Sequence, residues 1–209
     1  MKLPRLLQDP NDEHALAALR RYYGTGDGTE TFTGARFDTW DSTGTRAADH
    51  DRFTADDLVA VTFLSVNVSA PAAIRLLDTQ AQEFSELLSA VGPDKDLAEG
   101  PSRPWPDDWA GWRLHEALLA LPDVGPTTAS KLLARKLPRL RPIYDSVVER
   151  VIGTNSVWES LRQLLTSDRE VHDRLVLLGE KAKLPKEVSA LRVFDVVTWM
   201  EGKYGAETF

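Results

Sequence analysis

Apolar residues recur along this chain at steps of three and four, the period of helices that bury one face. Leu16 and Leu19 form one such stripe, Phe84, Leu87, Leu88 and Val91 another. Trp158, Leu161, Leu164 and Leu165 follow, and then Val188, Leu191, Phe194 and Val197. Capping residues mark the starts. Asn11 or Asp12 opens a helix to about Tyr23. Thr54-Ala-Asp-Asp57 has the form of a capping box, with Asp in place of the usual Glu. The helix it opens, Leu58 to Val66, is apolar nearly all round and is expected to be the buried central helix. Ser69 with Pro71, Thr79, Ser156, Asp168 and Pro185 introduce the others.

Strand-like alternation occurs once. Between Thr29 and Thr45, Phe32, Phe37 and Trp40 interleave with polar residues, which predicts a short two-stranded hairpin or an ordered loop. The glycine-rich GTGDG from Gly24 to Gly28 lacks a preceding strand and a following helix, so it reads as a turn. Asp94 to Pro106 is a proline- and charge-rich loop and a candidate lobe boundary. The expected fold is mainly α. It is a multi-helix bundle over residues 1–209, in one lobe or in two (1–100 and 106–209).

One stretch carries chemistry. Leu118, Leu121 and Val124 end a helical stripe, Pro122 cannot continue it, and Gly125 allows a reversal. Pro126 suits a first helical position, and a second helix is expected over Pro126–Lys136 with Ala129, Leu132 and Leu133 inward. The free N–H groups of such a helix start, with its dipole, favour an anion. Lys131, Arg135, Lys136, Arg139 and Arg141 follow closely. A third short helix is expected from Asp145 to Gly153.

Charge sharpens the picture. The chain is acidic at −7, but residues 111–150 carry 7 basic and 4 acidic residues, the single positive segment. A local basic face would give modest, salt-sensitive nucleic-acid binding. The chain has no cysteine, which excludes disulfides and thiolate metal sites. Asp49-His50-Asp51 is a poor ligand set, and no metal is expected. His14, His50, His115 and His172 read as surface or interfacial. No run of 18 apolar residues and no signal-peptide core is visible, so a soluble cytoplasmic protein with no membrane partner is the plain expectation.

Leu121-Pro-Asp-Val-Gly-Pro-Thr-Thr-Ala129 resembles the helix–hairpin–helix DNA-binding motif, commonly L-P-G-V-G, three residues and Ala. Ile143-Tyr-Asp-Ser-Val-Val148 is similar to the V-D-T-H-V segment of the endonuclease III–like DNA glycosylases. Asp145 follows Thr127 by 18 residues, the interval between that family's variable lysine and its essential aspartate. The resemblance covers about residues 114–153, with the hairpin at 114–136. The whole chain also resembles an uncharacterised bacterial family of unknown function, in its FTADDLVAV and ARK-P-R-L segments.

The glycosylase resemblance implies a DNA-repair role: a monofunctional N-glycosylase with Asp145 and Thr127 at the catalytic centre. Val124, Gly125, Thr127, Thr128, Lys131, Arg135, Lys136 and Arg139 would hold duplex DNA. Tyr144, Trp112 and Trp40 are the candidates for a base pocket. Thr127 supplies no amine for a Schiff base, so strand cleavage is not expected. No cofactor is expected, because the four-thiolate iron–sulfur cluster of part of that family cannot form without cysteine. Asp123 replaces the first hairpin glycine and brings a carboxylate toward the phosphate position. The alternative is a non-catalytic nucleic-acid-binding or protein–protein scaffold of the same fold, in which the basic run is a solvated face.

Overall fold

The computed structural model describes residues 1–26, 32–101 and 104–209. Among them the chain is helical and holds no strand. The first half contains α1 (Arg5–Gln8), α2 (Glu13–Tyr23), α3 (Ala55–Thr62), α4 (Ala70–Ile74) and α5 (Ala81–Val91). A π-helical turn, Arg75–Thr79, joins the last two. The second half contains α6 (Ala110–Leu119), α7 (Pro126–Lys136), α8 (Ser146–Ile152), α9 (Val157–Ser167), α10 (Arg169–Lys181) and α11 (Ala190–Tyr204). The buried apolar residues form one continuous cluster from Leu6 to Met200.

The centre is α11, not the segment after Thr54. From Ala190 to Thr198 every residue of α11 is buried, and the helix packs on α1, α2, α8 and α10. α3 does form, on a true capping box: Asp57 accepts from the Thr54 N–H at 2.9 Å. It stops at Thr62, however, and lays one face on α7 while Val59 stands exposed. Being apolar nearly all round did not make it central, because among the helices it packs chiefly on α7.

The expected β-hairpin is absent from the described part of 29–45. Phe32 instead stacks on Tyr22, with ring centroids 5.2 Å apart, and a single 3-10 turn, Thr33–Arg36, follows. Gly34 is needed there, since a Cβ would strike the Tyr22 hydroxyl and Leu64. Thr29–Thr31 of that expected hairpin lie outside the described residues, as do Asp27 and Gly28 of the glycine-rich turn. Gly24 caps α2 in the left-handed region (φ 67). α10 runs through Gly179 to Lys181. α8 and α11 approach closely at Gly202, where a Cβ would meet Val147 and Val151. That contact sets the start of α8 against the side of α11.

Candidate active site

The tight turn between α6 and α7 forms, and its left-handed residue is Asp123 (φ 59), not Gly125 (φ −91). Asp tolerates this region better than most residues, because its short side chain can bond locally. Asp123, Gly125 and Pro126 are exposed. Among the described residues no acceptor meets the N–H groups of Gly125, Thr127 and Thr128, but Thr128, expected to hold DNA, is buried. The Val124 N–H is not free as expected. It donates to Leu121 O at 3.2 Å, and the Val124 side chain is buried.

Asp145 caps α8, accepting from the Val147 N–H at 2.8 Å, and α8 ends at Gly153 in the left-handed region. The Asp145 side chain remains 22% exposed. It lines a cleft of about 380 Å³ together with Thr127, Lys131, Asp195, Arg192 and the aromatic rings of Tyr22, Phe32, Phe63 and Trp199. That volume is in the range of small-molecule sites. So Asp145 and Thr127 line one cleft, beside an exposed turn.

The cations of α7 are where sequence and structure part. Lys131, Arg135 and Lys136 are all buried and cannot reach a phosphate. Lys131 Nζ donates to Leu64 O at 2.7 Å and stands 3.8 Å from Asp145 Oδ2. Burial lowers its pKa and Asp145 partly restores it. Arg135 Nε donates to Asp57 at 3.0 Å, and its other nitrogens to the carbonyls of Phe37 and Trp40. Lys136 pairs with Asp57 and donates to Asp49 O. Arg139 is half exposed but pairs with Asp96. The physical reason is that α7 packs against α3, whose first turn carries Asp57 inward. A buried carboxylate of that kind needs opposite charge.

The aromatic candidates are corrected as well. Trp40 packs edge-on to Phe63 and donates to Asp56 at 3.1 Å, outside the cleft. The Tyr144 hydroxyl donates to Glu149, and Tyr144 does not line the cleft either. Trp112 joins Trp105, Trp109 and Trp158 in a cluster that covers Arg141, whose carbon lies 4.8 Å from the Trp158 centroid. Burial lowers the Arg141 pKa to about 10. Of the histidines, His172 is buried rather than superficial, with Nδ1 3.2 Å from Asp173 and Nε2 3.5 Å from Asp96. Among the described residues no group of three or more His, Cys, Asp or Glu is placed to hold a metal, and no helix is long and apolar enough to cross a membrane.

Sequence reasoning missed Asp195 and Arg192. Arg192 donates to Asp195, to Asp38 at 3.1 Å, to the Tyr22 hydroxyl at 2.9 Å and to Gly34 O at 3.0 Å. Asp195 is 5% exposed, and burial pushes its pKa up to about 6, against the pull of Arg192 and with a further push from Asp145. A signal was present. In LRVFDVVTWM, Arg192 and Asp195 interrupt an apolar run three residues apart, the spacing of a helical ion pair.

The family described as Family of unknown function (DUF6308) matches residues 15–202, and the chain belongs to that family. Comparison with curated proteins and with solved structures gave no match.

Proposed function

We propose that the protein is a helix–hairpin–helix enzyme that hydrolyses the N-glycosidic bond of a base drawn out of a DNA duplex, without cutting the strand. One observation carries the reading: the Asp145 carboxylate opens into the same cleft as Thr127, at a helix start where the amides of Gly125 and Thr127 meet no acceptor. A base inside a duplex must leave the stack to reach such a cleft. The partly exposed rings of Phe32, Phe63 and Trp199 give it faces to stack on. As the bond to the base breaks, positive charge develops on the sugar, and Asp145 supplies opposite charge beside it. Thr127 has no amine to form a Schiff base, and the Lys131 amine is held by Leu64 O.

The burial of Lys131, Arg135 and Lys136 leaves few cations for phosphates. It favours, as a second reading, a non-catalytic scaffold of the same fold. The experiment is direct. The protein is incubated with duplexes carrying a panel of modified bases, and abasic sites are scored. The proposal expects them from the wild type and not from Asp145→Asn; activity that survives the substitution removes the role given to Asp145. Borohydride should trap no covalent adduct, and an adduct abolished by Lys131→Met would overturn the claim that the strand stays intact. No duplex binding even at low salt would leave the scaffold reading.

A further inference from the structure

The cleft contains a second carboxyl that the reading above leaves without a task. Asp195 stands on α11, and Asp145 faces the same cavity from the start of α8. Arg192 Nη1 donates to one oxygen, Oδ2. The other, Oδ1, accepts no hydrogen bond among the described residues. Arg192 itself is fixed by Asp38, the Tyr22 hydroxyl and Gly34 O. The free oxygen is therefore held in place through an arginine with three other anchors. That oxygen is not sealed among protein atoms but left to the cleft that Asp195 lines.

We propose that Asp195 is the acid of this cleft, delivering the proton that the departing base takes up while Asp145 faces the sugar. This rests on the N-glycoside reading above. In the step, the bond between sugar C1′ and the base nitrogen breaks, and its electron pair leaves with the base. The Asp195 proton passes to the base. A water oxygen bonds to C1′, and the water's surplus proton goes to Asp145. The sum is one water divided between sugar and base. Cleft solvent returns the proton from Asp145 to Asp195 before the next turnover.

The environment of Asp195 suits this role. Asp195 is the more deeply buried, and burial disfavours its charged form, up to about pH 6. The groups that face it are Arg192 on its own helix, Lys131 from α7, Asp145 at the cap of α8, and Tyr22 and Tyr23 from α2. Asp38 reaches it through Arg192. A carboxyl whose site favours its neutral form is the usual basis for an acid role beside a second, charge-stabilising carboxylate.

The test compares leaving groups. Single-turnover rates are measured on duplexes carrying a neutral purine or its N7-methylated cation, a base that leaves without protonation. Asp195→Asn should slow the neutral base by about 100-fold and the cationic base by less than about threefold. The wild-type rate on the neutral base should fall as pH rises above about 6, with no such limb for the cationic base. The ratio of the two rates within one preparation does not depend on how much of it is folded. Should Asp195→Asn fail to fold, the two wild-type pH profiles decide: a limb confined to the neutral base supports the assignment, and the same limb on both overturns it. An equal loss on both bases in Asp195→Asn also overturns it, leaving Asp195 as an anchor for Arg192. Absence of cleavage of either base by the wild type overturns the N-glycoside reading, and this assignment with it.

Discussion

Two buried charge clusters lie one helical turn apart on α7, and they are built differently. Around Arg135 every partner is in place. Asp57 accepts from the Thr54 N–H and hydroxyl, from Arg135 and from Lys136, while the remaining donors of Arg135 and Lys136 reach the carbonyls of Phe37, Trp40 and Asp49. Around Lys131 the network stays open. Asp195 keeps a free oxygen, Asp145 Oδ2 stands 3.8 Å from Lys131, and a cavity of about 380 Å³ adjoins both acids. A closed network acts as a cross-link between α3 and α7, since any unmet charge inside it would be destabilising. An open one, next to a cavity, is the better candidate for a functional site.

The largest effect should come from breaking the closed cluster. Asp57→Ala leaves Arg135 and Lys136 buried without a counter-charge, and should destabilise the fold by about 3–5 kcal/mol. The midpoint of urea unfolding measures this, and a shift worth under about 1 kcal/mol would show that water enters and screens the pair. Next comes the open cluster, where stability and activity should separate. Asn caps a helix about as well as Asp, and Lys131 keeps its bond to Leu64 O when the 3.8 Å pairing is lost, so Asp145→Asn should cost no more than about 1–2 kcal/mol, well below Asp57→Ala. Under the proposed reaction it should lower the rate by about 10²–10³-fold. If stability and activity fell together, Asp145 would belong with Asp57 as a structural acid.

A third prediction uses pH. Asp94, half-buried beside the N–H of Arg139, is pushed by burial from its ordinary 3.8 to about 6, despite that hydrogen bond and the Arg139 charge. Its folded pKa is raised, so between 3.8 and about 6 the folded chain holds a proton that the unfolded chain has released. Stability contributed by this group is therefore lost as pH rises through that window. Asp94→Asn cannot titrate, so it should gain on the wild type between pH 4 and pH 7, by on the order of 1–2 kcal/mol. Unfolding curves at both pH values give the difference. A constant difference would place Asp94 in contact with bulk water. The same sign applies to Asp195, but its substitution also disturbs Arg192, so Asp94 is the cleaner probe.

The local parts of this molecule were legible in the chain. Pro126 and the residues around it set α7 to Pro126–Lys136, Asp145 and Gly153 bracket α8, and Thr54 with Asp57 builds a capping box. Caps, prolines and glycines act on their immediate neighbours, so sequence alone reports them. The fate of the charges was not legible. A run such as Lys131, Arg135 and Lys136 looks the same whether solvent or Asp57 receives it, and the receiving groups sit 67 to 98 residues away for the bonds to Leu64 and Phe37. The aromatic wall has the same origin. Trp40, Trp112 and Tyr144 are near the motif or conspicuous in the sequence, whereas Tyr22, Phe32, Phe63 and Trp199 come together only through the packing of α2 and α11. Asp145 and Thr127 both belong to segments whose local geometry the sequence already fixes, and both line the one cleft.

The smallest expected effect probes the turn that precedes both clusters. Asp123 holds φ 59, a region that glycine enters without steric opposition, and its carboxylate stands exposed beside the free amides of Gly125 and Thr127. Asp123→Gly relieves the backbone but loosens the unfolded chain, so the two effects oppose and the net gain should be no more than about 0.5 kcal/mol. Its electrostatic effect is more informative. Removing a negative charge within a Debye length of a docked phosphate should tighten duplex binding several-fold at low salt, and the gain should shrink at physiological salt. The salt slope itself should be shallow, corresponding to about two phosphates, because the cations of α7 are committed to Asp57 and Leu64. Equal affinity of wild type and Asp123→Gly at low salt would mean that no phosphate rests on this turn. The open cluster would then take its ligand without help from the helix start, and the division within α7 would be between a cross-link and a free-standing pocket.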